Sequence, residues 1–447
     1  MATASGKDIG SSEFRVEAAR LAMKVGLFST SDIEGGAPRA TFRLFQALKE
    51  SGTDVSLVVQ RQRTQAAGVI PTQRMMGWET SRIRMILDRL PAVFIDPVKR
   101  PRVVPNWVPD ALPQLAATKG FDVVNLHLVN CGFMRIESLA RFRQPLIWTL
   151  HDMWVFTGGC AYSEGCERYQ DSCGCCPLLG AKKENDLSRR VWERKRQAWG
   201  NLDLTIVTPS QWMKTCAERS SLLGRYPIKC IPYGIDTELF QPEPQAEARR
   251  TLRLNVDAYL VLFGATAAES DPRKGFDLLA ATLARLPREI SGRPVVGVVF
   301  GNQRDVMIPG LDIPLISLGQ LNDDKILRMV YSAADVFAAP SREDNLPNTV
   351  IESLACGTPV VAFNIGGMPD MIDSGRTGRL VAPFNTEEFA AAIVAELAAD
   401  QPARRAACRA SATRFFSQAR QAAAYNQLYE QVGHRARTPA NLSRAHP

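Results

Sequence analysis

Asp344 and Glu352 are acids separated by seven residues, with Glu343 beside the first. Between them, Asn345 and Pro347 offer helix-start chemistry, because Asn can cap free amides and Pro is tolerated in a first turn. The free amides and positive dipole end of such a helix make a seat for a diphosphate. A carboxylate on either side of that seat could hold sugar hydroxyls. An isolated acidic pair reads more simply as a polar turn beside a solvated helix face. Here the flanking residues favour a site. Val336–Ala339 is apolar, Thr349–Ala355 continues the helix, Thr358–Ala362 is a second apolar run, and Gly366-Gly367 follows. Strand, turn, helix, strand and glycine loop make one passage of a parallel sheet, and such sheets bind ligands at the carboxyl ends of their strands.

Other residues with chemistry lie in comparable settings. Gly35-Gly36 falls between the apolar run Lys24–Phe28 and a helix opened by Pro38, where paired glycines let backbone approach a phosphate. His127 and His151 each end an apolar run. A neutral imidazole there can hydrogen-bond a sugar hydroxyl. His127 reads more simply as a packed residue. Arg273-Lys274-Gly275 precedes a helix, and Lys274 could neutralise a leaving diphosphate. Cys160, Cys166, Cys173 and Cys176, with Cys175 extra, crowd one loop that closes on Cys-x-x-Cys. Four thiolates could form a structural zinc site; reduced thiols or a redox pair are the alternatives.

The chain carrying these groups has 447 residues, enough for two domains. Its 54 basic against 46 acidic residues give a net charge of +8. That balance suits anionic partners, but no zinc-finger, RNA-recognition or helix-turn-helix pattern points to nucleic acid. No run of about 18 apolar residues predicts a spanning helix, and the first 24 residues lack a signal peptide's apolar centre. The expected location is cytoplasmic, at the inner face of the cell membrane if the interleaved segment 74–102 meets lipid. There Arg82, Arg84 and Arg89 alternate with Ile83, Met85 and Ile86. The segment could equally pack with its charges solvated. The same choice applies to a second basic helix expected over Asp186–Gly200.

Six short apolar runs alternate with helical segments in each half. The fold class is therefore α/β, with two doubly wound Rossmann-like domains facing a central cleft. The expected boundaries are a tail at 1–23, an N-terminal domain at 24–234 with a cysteine-rich loop at 158–177, and a linker at 235–245. A C-terminal domain at 246–432 ends in a helix that crosses back, and a tail follows at 433–447.

Asp344-x7-Glu352, Pro340-Ser341, Ala355–Val361, Gly366-Gly367 and Tyr233-Gly234-Ile235-Asp236 together resemble the signature of retaining GT-B glycosyltransferases of family four, group 1. His151-Asp152-Met153-Trp154 with its cysteine loop narrows the resemblance to colanic-acid or exopolysaccharide-type enzymes. The pattern departs at Asp344, where Glu is usual, at Tyr233, where Asn is usual, and at Ala265, where Arg is usual. The resemblance implies a nucleotide-diphosphate sugar donor on the C-terminal domain and a glycan or lipid-linked acceptor on the N-terminal one. It implies retaining transfer without a catalytic metal. His151, Lys274 and Asp344 are the implied catalytic residues. Gly35, Gly36, Arg273, Lys274, Glu343, Asp344, Asn348, Thr349, Glu352, Gly366 and Gly367 are the implied donor-binding set, with Glu352 on the ribose. A nucleotide-sugar epimerase, or a silent partner in a polysaccharide-assembly complex, is the alternative.

Overall fold

The computed structural model describes residues 23–72, 80–93, 103–264, 271–301 and 308–437. The first sheet holds β1 (Lys24–Ser31), β2 (Asp54–Arg61), β3 (Val69–Pro71), β4 (Val123–Leu126), β5 (Leu146–Thr149), β6 (Leu204–Thr208) and β7 (Ile228–Cys230). Its order is β3-β2-β1-β4-β5-β6-β7, with every pair parallel. The second holds β8 (Tyr259–Gly264), β9 (Glu289–Ile290), β10 (Arg293–Phe300), β11 (Leu315–Ser317), β12 (Val336–Ala339), β13 (Val360–Phe363) and β14 (Gly378–Val381). There the order is β11-β10-β8-β12-β13-β14, and β9 adds an antiparallel hairpin edge to β10.

Both sheets reverse their winding at an internal pair, β1/β4 in the first and β8/β12 in the second. Such switch points open a crevice beyond the strand ends. Strands buried on both faces read as continuous apolar runs. Leu57 to Val59 and Val360 to Phe363 are all buried. The helix Gly36–Glu50 shows the other pattern, burying Leu44, Phe45 and Leu48 while Glu50 stays exposed. Each such apolar side chain contributes about 1.5–3 kcal/mol on burial.

The expectation of six strands per half is corrected to seven. Sequence 61–120, read as irregular, supplies β3 and the helices Thr80–Val93 and Leu112–Lys119. A three-residue strand is too short to show a period. The helix Gln418–Arg437 packs on the first domain, where Tyr425 and Tyr429 join the core of Val25, Leu27 and Leu57. Asn125 Nδ2 donates to Tyr429 Oη (2.9 Å). Just before this helix, Phe416 is buried and Phe415 is exposed. The two chain crossings between domains run side by side. Ile235 N–H donates to Phe416 O (2.7 Å) and Gln418 N–H to Ile235 O (3.0 Å). Among the described residues no helix is long and apolar enough to cross a membrane. The expected tails, Arg74 to Glu79, Lys99 to Arg102 and Ala265 lie outside the described residues, apart from Met23 and the end of the crossing helix.

Candidate active site

A cavity of about 400 Å³ lies where the two switch points face each other. That is within the ~300–1,000 Å³ usual for small-molecule sites. Gly35-Gly36 after β1, Leu128 after β4 and His151 after β5 line one wall. Gly264 at the end of β8, Asp344 after β12 and the helix start Asn348-Thr349 line the other.

Of Glu343, Asp344 and Glu352, Asp344 is the acid that lines this cavity. Its Oδ2 lies 2.6 Å from Lys274 Nζ, and its Oδ1 3.7 Å from Arg273 Nη1. Burial pushes the Asp344 carboxyl up, but Lys274 and then Arg273 outweigh it and hold it below its ordinary value. Glu343 turns away, accepting Glu164 N–H from the cysteine-rich loop (3.0 Å). The geometry thus separates two acids that sequence could not. Gly366 and Gly367, expected at the donor, instead support the Asp344 loop. A Cβ on either would collide with the Asp344 or Asn345 carbonyl, and Gly367 N–H donates to Asp344 O (3.1 Å). Neither lines the cavity.

Positive potential converges on the cavity from helix ends as well as side chains. The helices Gly36–Glu50, Phe276–Leu283 and Asn348–Ala355 begin at or beside lining residues. Arg273 is fixed by Asp271 Oδ2 (2.8 Å), Glu343 O (3.2 Å) and the Tyr162 ring, 4.1 Å from its guanidinium carbon. Tyr162 is a lining residue that sequence reading missed; its signal was an aromatic inside a polar, cysteine-rich loop. Asn345 does not cap the helix as expected. It ties the domains together, with Nδ2 donating to Leu150 O (3.2 Å) and His151 O (3.1 Å) and Oδ1 accepting from Ser210 (2.6 Å).

His151 is less open than expected. Its Nε2 lies 3.0 Å from His127 Nδ1, and its Nδ1 2.6 Å from Tyr233 Oη. Burial lowers its pKa to about 3, so the ring is neutral. Next to it, burial raises Asp152 to about 6. Lys195, one charge of the basic helix expected either at an acceptor or membrane surface or as a solvated face, is fully buried in the helix Leu187–Ala198. Its Nζ donates to Trp154 O and Thr157 O and sits 3.7 Å from the Trp154 ring centroid.

Glu352, expected on the ribose, is 3% exposed and is not a lining residue. Arg43 of the first domain pairs with it at 2.8 Å, and Tyr331 Oη donates to it at 2.8 Å. Arg39–Asp324 (3.0 Å) and Asn348 Nδ2 to Gly36 O (3.0 Å) extend this interdomain seam. In this arrangement Glu352 serves the seam. Charges more than 300 residues apart gave no sequence signal of pairing.

The four cysteines with zinc-like spacing line one small cavity. Cys173 Sγ accepts Gly158 N–H (3.1 Å), and Leu179 N–H donates to the Cys176 carbonyl (3.2 Å). Their kind and number suit zinc. Their sulfurs are not drawn to a common point, and no three Cys, His, Asp or Glu among the described residues form a metal-holding group. The helix Thr80–Val93 turns Ile83 (55% exposed) and Ile86 (60% exposed) outward, with Trp107 also exposed.

Two family models match the chain, "Glycosyltransferase Family 4" over residues 34–239 and "Glycosyl transferases group 1" over 258–399. A D-inositol 3-phosphate glycosyltransferase of Saccharomonospora viridis is 34% identical over 37% of this chain and 41% of its own. One of Thermobispora bispora is 31% identical over 70% and 72%. A putative colanic acid biosynthesis glycosyl transferase, WcaC, of Escherichia coli K12 is 26% identical over 56% and 61%. The chain thus spans about two fifths of the length of the first of these relatives. Among solved structures, sucrose-phosphate synthase from Thermosynechococcus elongatus has a TM-score of 0.66 at 21% identity, covering 92% of this chain and 100% of that one. Anabaena Alr3699/HepE in complex with UDP and glucose has 0.60 at 18%, covering 91% and 99%. On that shared fold, and with one relative matched over most of both chains, this chain belongs to the group 1, family 4 glycosyltransferases and has the GT-B fold.

Proposed function

We propose that this chain transfers a hexosyl group, with retention, from a nucleotide-diphosphate sugar to a glycan or lipid-linked acceptor in exopolysaccharide or envelope polysaccharide assembly. The observation that carries this reading is the pairing of Asp344 with Lys274 and Arg273 in a cavity ringed by helix amino ends. Cations and free amides there stabilise charge on a departing diphosphate. The acceptor hydroxyl attacks the anomeric carbon from the face the diphosphate leaves. The departing phosphate oxygen takes the hydroxyl proton, so bonds and charges balance without a protein base. Asp344 orients the sugar, and domain closure excludes water. The likeness to WcaC supports a polysaccharide acceptor, and the UDP and glucose bound in the HepE structure support the donor class.

The outward apolar face at Ile83 and Ile86 supports contact with a membrane surface or an acceptor lipid, at the inner face of the cell membrane. The four-thiol cavity is proposed to draw in around a structural zinc ion, which takes no part in transfer. The decisive experiment is a thermal-shift panel of UDP-, GDP- and ADP-sugars, followed by donor-turnover assays with and without chelator. One donor class should raise the Tm in proportion to its affinity, with turnover unchanged by chelator. No shift with any donor, or a strict need for added divalent ion, overturns the reading.

A further inference from the structure

Tyr233 stands where the resembling family usually carries Asn, and its side chain reaches a buried histidine pair that transfer as outlined above does not use. His151 Nδ1 is the one hydrogen-bond partner of Tyr233 Oη among the described residues, at 2.6 Å. The His151 ring stacks on the Tyr233 ring, with centroids 5.4 Å apart and planes 24° apart. Behind it, His127 Nδ1 is 3.0 Å from His151 Nε2, and His127 Nε2 is buried without a partner among the described residues. Thr41 Oγ1, which donates to Ala37 O (2.9 Å), lies 3.4 Å from His151 Nε2.

Two neutral imidazoles share two ring protons, so this chain of groups has two states. In one, His127 Nδ1–H donates to His151, and His151 Nδ1–H donates to the tyrosine oxygen. The Tyr233 O–H is then free to donate elsewhere. In the other, Tyr233 O–H donates to His151, and His151 Nε2–H donates to His127. The tyrosine oxygen then keeps a free lone pair. Either way one hydrogen-bonding function of Tyr233 is unspent. Tyr233 lines the cleft cavity together with Asp152, Tyr162 and Asp344. An alcohol is the ligand that meets both states, because a hydroxyl donates as readily as it accepts.

We propose that the Tyr233 hydroxyl binds a hydroxyl of the donor sugar beside Asp344, and that His127 and His151 are positioning residues that aim it. The inference rests on the donor reading above and adds to it a sugar-contacting group at this chain's Tyr-Gly-Ile-Asp junction.

The test uses the full chain and Tyr233→Phe, which keeps the ring and removes the hydroxyl. Binding is measured by calorimetry for UDP-glucose against UDP and for GDP-mannose against GDP. Monodeoxy analogues of whichever sugar nucleotide binds are then compared. The variant should bind the bare diphosphate as the wild type does, and bind the sugar nucleotide roughly 5- to 100-fold more weakly. One monodeoxy analogue should bind wild type weakly and should bind the variant no worse than the parent sugar does. A merely structural tyrosine would lower Tm while leaving the sugar-to-diphosphate affinity ratio and the deoxy discrimination unchanged, and that result overturns the inference. If wild type binds a sugar nucleotide and the variant binds it equally well, this inference alone falls. If wild type binds no nucleotide sugar, the donor reading falls with it.

Discussion

Replacing Lys274 with Met tests the site at its most exposed joint. The ammonium is 2.6 Å from Asp344, whereas the second cation, Arg273, is 3.7 Å from the same carboxylate. Met fills similar volume without charge, so on the proposed donor reading a departing diphosphate loses one of the two cations, the one nearer Asp344. Removing one preorganised donor of this kind costs about 10²–10³ in kcat, or ~2.7–4 kcal/mol. The single-turnover rate should fall by that factor, while Lys274→Arg retains most of it. A second readout is pH. In wild type, burial raises the Asp344 carboxyl, but Lys274 and Arg273 prevail and depress it. A depressed carboxyl adds stability above its unfolded value, about 3.9, that is lost as pH falls through the folded value. Without Lys274 that contribution shrinks. The Tm difference between wild type and variant should therefore be widest near neutral pH and narrow as pH falls through the depressed folded value. A single-turnover rate within threefold of wild type, or a Tm difference that is flat with pH, would refute the pairing argument.

Arg43→Met should destabilise the fold by about 3–5 kcal/mol in urea unfolding, because it strands the buried Glu352. The double variant Arg43→Met/Glu352→Gln should recover most of the loss, and a single variant within about 0.5 kcal/mol of wild type would show the seam to be idle. Metal analysis of protein purified without chelator should find about one zinc per chain, lost together with Tm in Cys173→Ser; zinc-free wild type would remove the metal reading of the cysteine cavity.

Much of this architecture was legible because apolar runs and glycines report local backbone needs. Val336–Ala339, the helix after Pro347 and Val360–Phe363 are where alternation placed them. The cavity includes eight expected residues, namely Gly35, Gly36, His151, Arg273, Lys274, Asp344, Asn348 and Thr349. What sequence could not reach is which neighbour a charge meets across the cleft. Glu352 has the spacing of a ribose ligand, yet Arg43 from a distant helix holds it. Lys195 sits in a run of basic residues that reads as a surface helix, yet tryptophan faces and two carbonyls enclose it. Glu343 and Asp344 are adjacent and chemically alike, and only the loop geometry fixed by Gly366-Gly367 sends one into the cavity and the other to Glu164.

The crossing helix Gln418–Arg437 bears on how this chain is made. Val25 and Leu27 belong to the first of the described strands, but Tyr425, Leu428 and Tyr429 that cover them are among the last described residues to be translated. Domains ordinarily fold as units, amino-terminal first, at about 5–20 residues per second. Here the amino-terminal domain must wait some tens of seconds with one apolar face open, while its partner domain, whose core includes Cys408, Ala412 and Phe416, is made. Ribosome-held chains ending before Gln418 should thus be sticky and protease-sensitive in their first half, and the amino-terminal domain should be the part that needs a chaperone's cover.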